Sequence, residues 1–206
     1  TKYLINCSGL YSDKIAELAG FKRDMRIVPF RGEYYMLNEG SCHLVKNLIY
    51  PVTNPRYPFL GVHFTRTING NIEAGPNAVL AWAREGYKKT DLNIIEMWDY
   101  LSYGGFWKMA FKYWPVALKE YYRSFVKYAF VSELRKLIPD INPIDINESP
   151  AGVRAQALSK DGHLIDDFII KSSKKMTHVI NAPSPAATSS LAIGESIANS
   201  YLYNHD

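Results

Sequence analysis

Both ends of the chain carry the same pattern, in which a short apolar strand leads through a turn of small residues into a helix. Near the start, Tyr3-Leu4-Ile5 precedes the turn Asn6-Cys7-Ser8-Gly9 and a helix predicted over Ser12 to Ala19. Near the end, His178-Val179-Ile180 precedes the turn at 181–185 and a helix predicted to begin at Ala186. Helix starts present unpaired N–H groups, and small residues let a ligand approach the backbone. The two turns are therefore either docking sites for an anion or carbonyl group or ordinary strand-to-helix connections.

Between these ends, the pattern changes from strands to helices. Residues 25–72 alternate with period two and are rich in aromatic and β-branched residues, which predicts an antiparallel sheet. Its predicted strands are Arg26-Ile27-Val28, Tyr34-Tyr35-Met36-Leu37, Leu48-Ile49-Tyr50 and Leu60 to Thr65, with turns at Asn38-Glu39-Gly40, Asn54-Pro55 and Asn69-Gly70. Helices are predicted from a cap at Thr90 or Asp91 to Leu101, then to Trp114-Pro115, and then from Val116 to Leu137. A connector over Asp140–Pro150 and strands at Ala151–Ala157 and Leu164–Ile170, joined by the turn Lys160-Asp161-Gly162, complete the expected layout.

Composition narrows the class of protein. The chain has 206 residues, 47% of them hydrophobic, which suits a globular protein with a buried core. Two cysteines, Cys7 and Cys42, are too few for a disulfide framework and fit a reducing compartment, and neither predicts a metal site. We find no signal peptide pattern and no apolar run of membrane-spanning length.

The predicted helices are rich in both aromatic and basic residues. Helical spacing places Trp107, Phe111 and Trp114 on one stripe. A second predicted stripe holds Tyr121, Phe125 and Tyr128, beside a basic face of Lys119, Arg123 and Lys127. Such a surface could lie on anionic lipid headgroups, or the aromatics could be core and the lysines their solvated side. Nucleic acid is the least supported partner, since the net charge is only +4 and no binding motif accompanies the patch.

Four blocks of sequence, taken together and in this order, resemble the L-2-hydroxyglutarate oxidase/dehydrogenase family. They are Asn6 to Asp13, Ile27 to Tyr35, Pro58 to Arg66 and Asn181 to Leu191. This family belongs to the FAD-dependent D-amino-acid oxidase-like superfamily, and the resemblance covers nearly the whole chain.

The resemblance implies an α+β fold in which an antiparallel or mixed-sheet substrate domain with helices accompanies the remnant of a Rossmann-like FAD domain. Residues 1–24 are expected in the FAD domain, 25–150 in the substrate domain with a helical insertion at 90–138, and 151–206 in the FAD domain again. Family members hold the FAD pyrophosphate with a glycine-rich turn, and no Gly-x-Gly-x-x-Gly occurs in this sequence. We therefore expect a C-terminal fragment or truncated product that does not hold FAD tightly by itself.

Roles for single residues also follow from the resemblance. Oxidation of a 2-hydroxy acid needs a base for the hydroxyl proton, and His63 in the third block is the candidate, although it could equally be a hydrogen-bonded sheet histidine. His43 and His205 are expected in exposed loop or tail positions, His163 follows a turn, and His178 opens a strand. Gly152-Val153-Arg154 resembles the element that carries the carboxylate-binding arginine, so Arg154 is assigned to the carboxylate beside the reacting carbon, with a surface ion pair as the alternative. A diacid needs a second anchor, for which the candidates are Arg66 and Arg31, with Tyr50 or Tyr34 as hydroxyl donors.

The two terminal turns supply the candidate cofactor contacts. These are Cys7, Ser8 and Gly9 in the first turn, and Ser184, Pro185, Ala187, Thr188 and Ser189 in the second. Backbone N–H groups of the second turn could stabilise negative charge on the reduced flavin, or the turn could simply cap a helix.

The expected function is FAD-dependent oxidation of the dicarboxylate L-2-hydroxyglutarate to 2-oxoglutarate. The expected setting is cytoplasmic, with residues 90–138 on the inner face of the cytoplasmic membrane, and a quinone-linked carrier or oxygen as electron acceptor. The alternatives are an oxidase of amino acids or glycerol 3-phosphate from the same superfamily, and a noncatalytic module that binds a lipid surface or a protein partner.

Overall fold

The computed structural model describes residues 1–52 and 61–203, with side chains described up to residue 199. Within this part the strands are β1 (Leu4–Asn6), β2 (Met25–Leu37), β3 (His63–Arg66), β4 (Ile72–Gly75), β5 (Val79–Leu80), β6 (Ile146–Ser159), β7 (Ile169–Ser173) and β8 (Met176–Asn181). The α-helices are α1 (Ser12–Leu18), α2 (Ile94–Leu101), α3 (Gly104–Phe125), α4 (Lys127–Leu134) and α5 (Ser190–Tyr203), and short 3-10 helices occupy Gly9–Tyr11, Glu39–Leu44 and Pro143–Asp145. This combination of helices and strands confirms the predicted α+β class. The predicted turn at Asn54-Pro55, the segment Pro58-Phe59-Leu60 and His205 lie outside the described residues.

The chain folds into two compact units. As far as they are described, unit 1 comprises Thr1–Val28, Ile95–Ala110 and Ala155–Asp206, and unit 2 comprises Pro29–Ile94 and Phe111–Arg154. Residues 95–110, which the sequence analysis placed with the middle portion, are therefore part of unit 1.

Unit 1 brings the two terminal strands together. Strands β1 and β8 pair in parallel, with Leu4 opposite Met176 and Asn6 opposite His178, and β7 pairs antiparallel on the other side of β8. Both predicted strand-turn-helix patterns are present. However, α5 begins at Ser190 rather than Ala186, because residues 184–189 form successive turns closed by bonds such as Ser189 N–H to the Pro185 carbonyl (3.0 Å).

In unit 1, a buried histidine of β8 is hydrogen-bonded to Asn6 of β1. His178 is fully buried, and its Nδ1 lies 2.9 Å from the Asn6 amide nitrogen, which also donates to the Ser12 carbonyl at 2.9 Å. Because that amide nitrogen can only donate, Nδ1 is an acceptor and the ring is neutral with its hydrogen on Nε2. Burial lowers the pKa of His178, in keeping with this arrangement.

An ion cluster holds α1 and α2 in unit 1. Arg23 donates to Asp13 through Nε and Nη2 (3.0 and 2.6 Å) and to Asp99 through Nη1 and Nη2 (2.6 and 2.5 Å). Asp13 also accepts the backbone N–H of Ile27 at 3.2 Å. The Arg23 and Asp13 side chains are 6% and 1% exposed, so these charges are removed from water and balance one another. Lys14, whose side chain is more exposed, binds Asp99 from outside at 3.0 Å.

Unit 2 contains the predicted antiparallel sheet. Strand β2 is a single strand where two separate runs were predicted, and it pairs with β4, β5 and β6. The predicted hairpin at Asn69-Gly70 is confirmed, since β3 and β4 are antiparallel and Gly70 N–H donates to the Thr67 carbonyl. In contrast, Leu48-Ile49-Tyr50 forms only an isolated bridge, at Ile49 and Phe64, and Asn38-Glu39-Gly40 leads into a 3-10 helix.

Asn77 lies between β4 and β5, where the pairing of this part of the chain with β2 is interrupted. Its side-chain oxygen accepts the Glu33 N–H (2.8 Å), its amide nitrogen donates to the Glu33 carboxylate (2.7 Å), and its own N–H donates to the Glu33 carbonyl. These bonds replace the strand pairing that is lost at residues 76–78. The backbone N–H and carbonyl of Glu33 in β2 therefore keep hydrogen-bond partners where regular pairing stops after Gly75.

The helices differ from the prediction at the start of α2 and at Pro115. Helix α2 begins at Ile94, so neither Thr90 nor Asp91 caps it; Asp91 instead accepts the Lys88 N–H at 2.8 Å. Helix α3 continues through Pro115 to Phe125 and is followed by extended Val126. A proline inside a helix costs about 3 kcal/mol for its missing N–H and its ring clash, which the long helical stretches on both sides offset.

The last strands also begin at other residues than predicted. Strand β6 already begins at Ile146, inside the expected connector, and β7 begins at Ile169, because Leu164 makes only an isolated bridge to Leu158. The turn at Lys160-Asp161-Gly162 is present, with Gly162 at φ +80°.

The core of unit 2 lies under one face of its sheet. It is built from Tyr35, Leu37, Val45, Val62, Phe64, Ile72, Ala74, Phe130, Val131, Leu134, Ile138, Ile141 and Ile146. Since Tyr35, Ala74 and Phe64 are paired neighbours in this buried face, strand alternation turns the residues beside them to the opposite face.

Candidate active site

The face of the unit 2 sheet opposite the core carries the predicted base. By alternation, His63 on β3 and Tyr34 on β2 point away from the core, and Gly75 on β4 lies in register with His63 between them. Gly75 has φ +146°, and a Cβ atom there would lie 2.8 Å from the Glu33 carbonyl oxygen and 3.0 Å from the Tyr34 ring. Only glycine fits this position, which leaves a gap without a side chain between His63 and Tyr34.

His63 is half-buried and held by two neighbours. Its ring stacks on that of Tyr50, with centroids 4.4 Å apart and planes inclined by 20°, and its Nδ1 lies 3.4 Å from the Gly61 carbonyl oxygen. Burial lowers the pKa of His63, and the bond to Gly61 opposes that shift without cancelling it. His63 is therefore neutral at physiological pH, as a proton acceptor must be.

Electrostatics connect Tyr34 to the predicted carboxylate-binding arginine. Burial raises the pKa of Tyr34; the Glu73 carboxylate adds to this shift, Arg154 opposes it and Tyr50 adds slightly to it. Such influence falls with distance, so each of these groups lies within electrostatic reach of Tyr34. The structure thus places His63 against Tyr50, and Tyr34 within reach of both Tyr50 and Arg154. Arg154 is exposed, as a group that receives a ligand must be.

Glu73 is a residue of this face that the sequence analysis missed. It lies opposite Thr65 of β3 and Met36 of β2, on the same side of the sheet as His63. Only the register could have placed it there, because nothing in the sequence around Glu73 marks it as different from a surface carboxylate.

The two other arginines lie elsewhere. By alternation Arg66 is on the Phe64 face of β3, where its Nη1 reaches the Val45 carbonyl at 3.5 Å. Arg31 is 3% exposed, and it donates to the Glu33 carboxylate through Nε and Nη2 (3.2 and 3.0 Å) and to the Lys88 carbonyl through Nη1 (3.1 Å). The structure does not bring either into the group around His63.

A cavity of about 300 Å³ lies beside β2 in unit 2. It is lined by Arg31, Glu33, Tyr34, Tyr35, Tyr87, Lys88, Lys89, Glu148, Ser149, Pro150 and Ala151. Tyr34 belongs both to this lining and to the face around His63. The cavity is large enough for a small organic acid.

The candidate cofactor turns lie in unit 1. Because β1 and β8 are parallel neighbours, their carboxyl ends lie at the same edge of the sheet, where ligands of open α/β sheets bind. The turn Cys7-Ser8-Gly9 is exposed, and Asn6 shapes it by accepting from the backbone N–H and hydroxyl of Ser8 (3.1 and 2.6 Å). Gly9 has φ +54° and open space where a Cβ would be.

The second turn has the same character. Ser184, Pro185, Ala187 and Thr188 are exposed, and Ser189 is partly exposed, all before the start of α5. Two exposed turns of small residues thus lie at adjacent strand ends, where a ligand can approach the backbone closely. A flavin held there would accept a hydride, while the sequence holds no glycine-rich turn for its pyrophosphate.

The aromatic helices expose one stripe. On α3 the exposed side chains, spaced by three or four residues, are Trp107, Phe111, Trp114, Leu118, Tyr122 and Phe125. The second predicted stripe is wrong, since Tyr121 turns inward, donates to the Leu80 carbonyl at 2.9 Å and has its pKa raised to about 12 by burial.

The predicted basic face is partly paired with carboxylates. Arg123 binds Glu120 (2.5 Å) and Glu133 (2.8 Å), and Lys119, which is 60% exposed, lies 3.8 Å from Glu133. Lys127 donates to the Ile146 carbonyl at 2.6 Å and keeps its charge. In the part of the chain that the structure describes, no helix is both long and apolar enough to cross a bilayer.

The parallel terminal strands with exposed turns at one edge, together with the separate antiparallel sheet, are the layout expected for a flavin-linked oxidoreductase. Residues 1–200 match the family described as FAD dependent oxidoreductase, and the chain belongs to this family. It is 56% identical over 198 residues to an L-2-hydroxyglutarate dehydrogenase of Indibacter alkaliphilus, covering 96% of this chain and 50% of that protein. It is 48% identical over 203 residues to the mitochondrial L-2-hydroxyglutarate dehydrogenase of Homo sapiens, covering 96% of this chain and 44% of that protein. The chain thus spans about half the length of the curated relatives it matches.

A solved structure shares the fold. The dithionite-reduced L-alpha-glycerophosphate oxidase of Mycoplasma pneumoniae, with FAD bound, matches with a TM-score of 0.58 at 18% identity, covering 93% of this chain and 40% of that chain.

Proposed function

We propose that this chain supplies the substrate-binding sheet and part of the FAD-binding sheet of an enzyme that oxidises L-2-hydroxyglutarate to 2-oxoglutarate. The grouping of His63, Tyr50, Tyr34 and Arg154 around the gap at Gly75 carries the proposal. Identities of 46–56% to L-2-hydroxyglutarate dehydrogenases support the choice of substrate.

The residues have separable roles in this proposal. Arg154 binds the carboxylate next to the reacting carbon, His63 accepts the hydroxyl proton, and Tyr34 donates a hydrogen bond through its hydroxyl, whose raised pKa keeps it protonated. When bound, FAD accepts the hydride from that carbon. Turn residues Cys7–Gly9 and 184–189 are proposed to lie against the ring.

Arg31 and Arg66 lie on the other face of the sheet from His63, and Arg31 already gives its Nε, Nη1 and Nη2 to Glu33 and the Lys88 carbonyl. The distal carboxylate is instead proposed to lie in the cavity that Tyr34 and Arg31 both line. The exposed Lys88 of that lining is its proposed partner.

Complementation tests this function. The chain is co-expressed with the half of the Indibacter relative that it does not match, and FAD-dependent dye reduction is measured with L-2-hydroxyglutarate. We expect turnover with the L-enantiomer, and little with D-2-hydroxyglutarate, glycerol 3-phosphate or amino acids. Replacing His63 by glutamine should lower kcat by about 10²–10⁴-fold, and Arg154→Met should raise KM by about 10–100-fold, the loss of a charge-assisted pair. Turnover of glycerol 3-phosphate or an amino acid instead would favour the alternative oxidase.

We also propose that the exposed stripe of α3 rests on a lipid surface. Phe111, Trp114, Leu118 and Phe125 are each 59–76% exposed, which leaves a contiguous apolar face on one helix. Lys112 and Lys119 lie on the same helix and are also exposed. A quinone-linked acceptor, which resides in the bilayer, is then favoured over oxygen.

Vesicle flotation tests the lipid contact with a matched pair of variants. Leu118→Ser should weaken binding to anionic vesicles by about tenfold, since a buried leucine contributes about 1.5–3 kcal/mol. Leu191→Ser on α5 removes a leucine that is even more exposed (90% against 61% for Leu118) and should leave binding unchanged. Equal effects of both substitutions would exclude the stripe, and an unbound wild type would favour a protein partner.

A further inference from the structure

The segment carrying Tyr50 is fixed against β3. Ile49 and Phe64 exchange both backbone hydrogen bonds (3.0 and 2.9 Å), so the next residues along, Tyr50 and His63, are direct cross-strand neighbours. Gly61 closes the other end, since it has φ +150° and a Cβ there would lie 3.1 Å from Pro51 Cγ. The ring of Tyr50 is thereby held over the imidazole, and its hydroxyl points to Thr65 Oγ1 at 3.4 Å.

The contact with Gly61 determines which nitrogen of His63 carries the hydrogen. A carbonyl oxygen can only accept, so the tautomer that uses this 3.4 Å contact as a hydrogen bond is the one with its hydrogen on Nδ1. In a neutral ring, Nε2 then has the free lone pair. The stack on Tyr50 disfavours rotation of the ring by 180°, which would exchange the two nitrogens.

We infer that Tyr50 is a positioning residue: its ring, together with the Gly61 carbonyl, fixes His63 in the Nδ1–H tautomer so that Nε2 accepts the substrate proton. The statement that Nε2 receives a substrate proton rests on the proposed function, whereas the tautomer and the stack do not. The inference replaces a role for Tyr50 as a hydroxyl donor to substrate. It predicts that the aromatic ring matters and the hydroxyl does not.

Nitrogen NMR of the chain itself tests the inference without cofactor or substrate. In the ¹⁵N-histidine-labelled wild type above pH 7, His63 should show the shifts of a protonated Nδ1 and an unprotonated Nε2, with ring protons moved upfield by Tyr50. Tyr50→Phe should keep both signatures. Tyr50→Leu should lose the upfield shift and show averaging between tautomers.

A matched control is Tyr122→Leu, which removes an exposed tyrosine of α3 and should leave the His63 signals unchanged. An Nε2-protonated His63 in the wild type would overturn the inference, and this result requires no variant to fold. Loss of the signatures in Tyr50→Phe would overturn it as well, because the hydroxyl would then be the essential part.

Kinetics of the complemented enzyme separate this inference from the proposed function. Tyr50→Phe should retain kcat and KM, while Tyr50→Leu should lower kcat by tenfold or more with little change in KM. A hydroxyl donor to substrate would instead show a raised KM in Tyr50→Phe. If no substrate is oxidised at all, the proposed function fails while the tautomer measurement still decides the positioning role.

Discussion

Replacing Asp99 by asparagine should destabilise unit 1 by about 2–3 kcal/mol at pH 7. Asp99 accepts two hydrogen bonds from Arg23 and one from Lys14, and its side chain is only 15% exposed. Removing one partner of a buried ion pair costs about 3–5 kcal/mol. Because Arg23 keeps its bonds to Asp13 and Asp99 is slightly exposed, we expect the lower part of that range or a little less.

The pH dependence of this effect has a definite sign. Arg23 and Lys14 hold the pKa of Asp99 far below its usual value. A group with a depressed folded pKa contributes stability above its unfolded pKa, about 3.9, and this contribution falls as pH drops below that value. The free-energy difference between wild type and Asp99→Asn should therefore be constant from pH 7 to about pH 5 and shrink as the pH falls from about 4 toward 2.

Urea unfolding monitored by tryptophan fluorescence at several pH values measures both quantities. The control is Lys14→Met, which removes the more exposed partner of Asp99 and should cost less than about 1 kcal/mol. A loss below about 0.5 kcal/mol for Asp99→Asn, or a loss that does not change with pH, would refute the reasoning that this cluster is buried and mutually balanced.

The remaining predictions concern three buried features. The free energy of unfolding should fall between pH 6.5 and pH 5, because unfolded His178 takes up a proton that the folded ring, with its lowered pKa, refuses; His178→Gln should flatten this dependence in urea titrations. Tyr121→Phe should cost about 1 kcal/mol for its hydrogen bond, and ultraviolet titration should show one phenol fewer ionising near pH 12, whereas Tyr122→Phe at an exposed position should be neutral in stability. Gly75→Ala should lower thermal stability by about 2–4 kcal/mol through strain and the contact with the neighbouring carbonyl, while Gly104→Ala, with open space around it, should not destabilise.

The terminal patterns could be predicted because each is local. A short strand with an apolar run, a turn of small residues and the start of a helix follow one another directly in the sequence, and the structure pairs the two strands as parallel neighbours. The Asn69-Gly70 hairpin was predictable for the same reason. Long-range pairing was not, since β2 runs through two predicted strands only because its neighbours continue to pair with it.

The helical region shows where local rules gave way to context. Pro115 predicted a helix break, yet the helix continues, and the break occurs at Val126, where no glycine or proline marks it. Helical spacing predicted the stripe of Trp107, Phe111 and Trp114, but it wrongly grouped Tyr121 with the exposed Phe125 and Tyr128. The inward turn of Tyr121 depends on the Leu80 carbonyl, which lies 41 residues away in the sequence.

The positions of the candidate site residues were predicted in part. His63, Tyr50 and Tyr34 were named from the sequence and share one region of the sheet, with Arg154 within electrostatic reach of Tyr34, whereas Arg31 and Arg66, named as candidate second anchors for a diacid, fall on the other face. A shift of one residue along a strand moves a side chain to the other face of the sheet, and the residue types alone do not show which face a position takes. Glu73 was missed because only the strand register places it on the same face as His63.

The most direct measurement of the proposed function is anaerobic mixing of the complemented, FAD-loaded complex with L-2-hydroxyglutarate while the oxidised flavin absorbance is recorded. We predict rapid bleaching with the L-enantiomer, slowed by orders of magnitude in His63→Gln and requiring far more substrate in Arg154→Met. A flavin that stays oxidised, or one that bleaches equally well in both variants, would contradict the assignment of this sheet face as the place where the hydroxy acid binds and loses its proton.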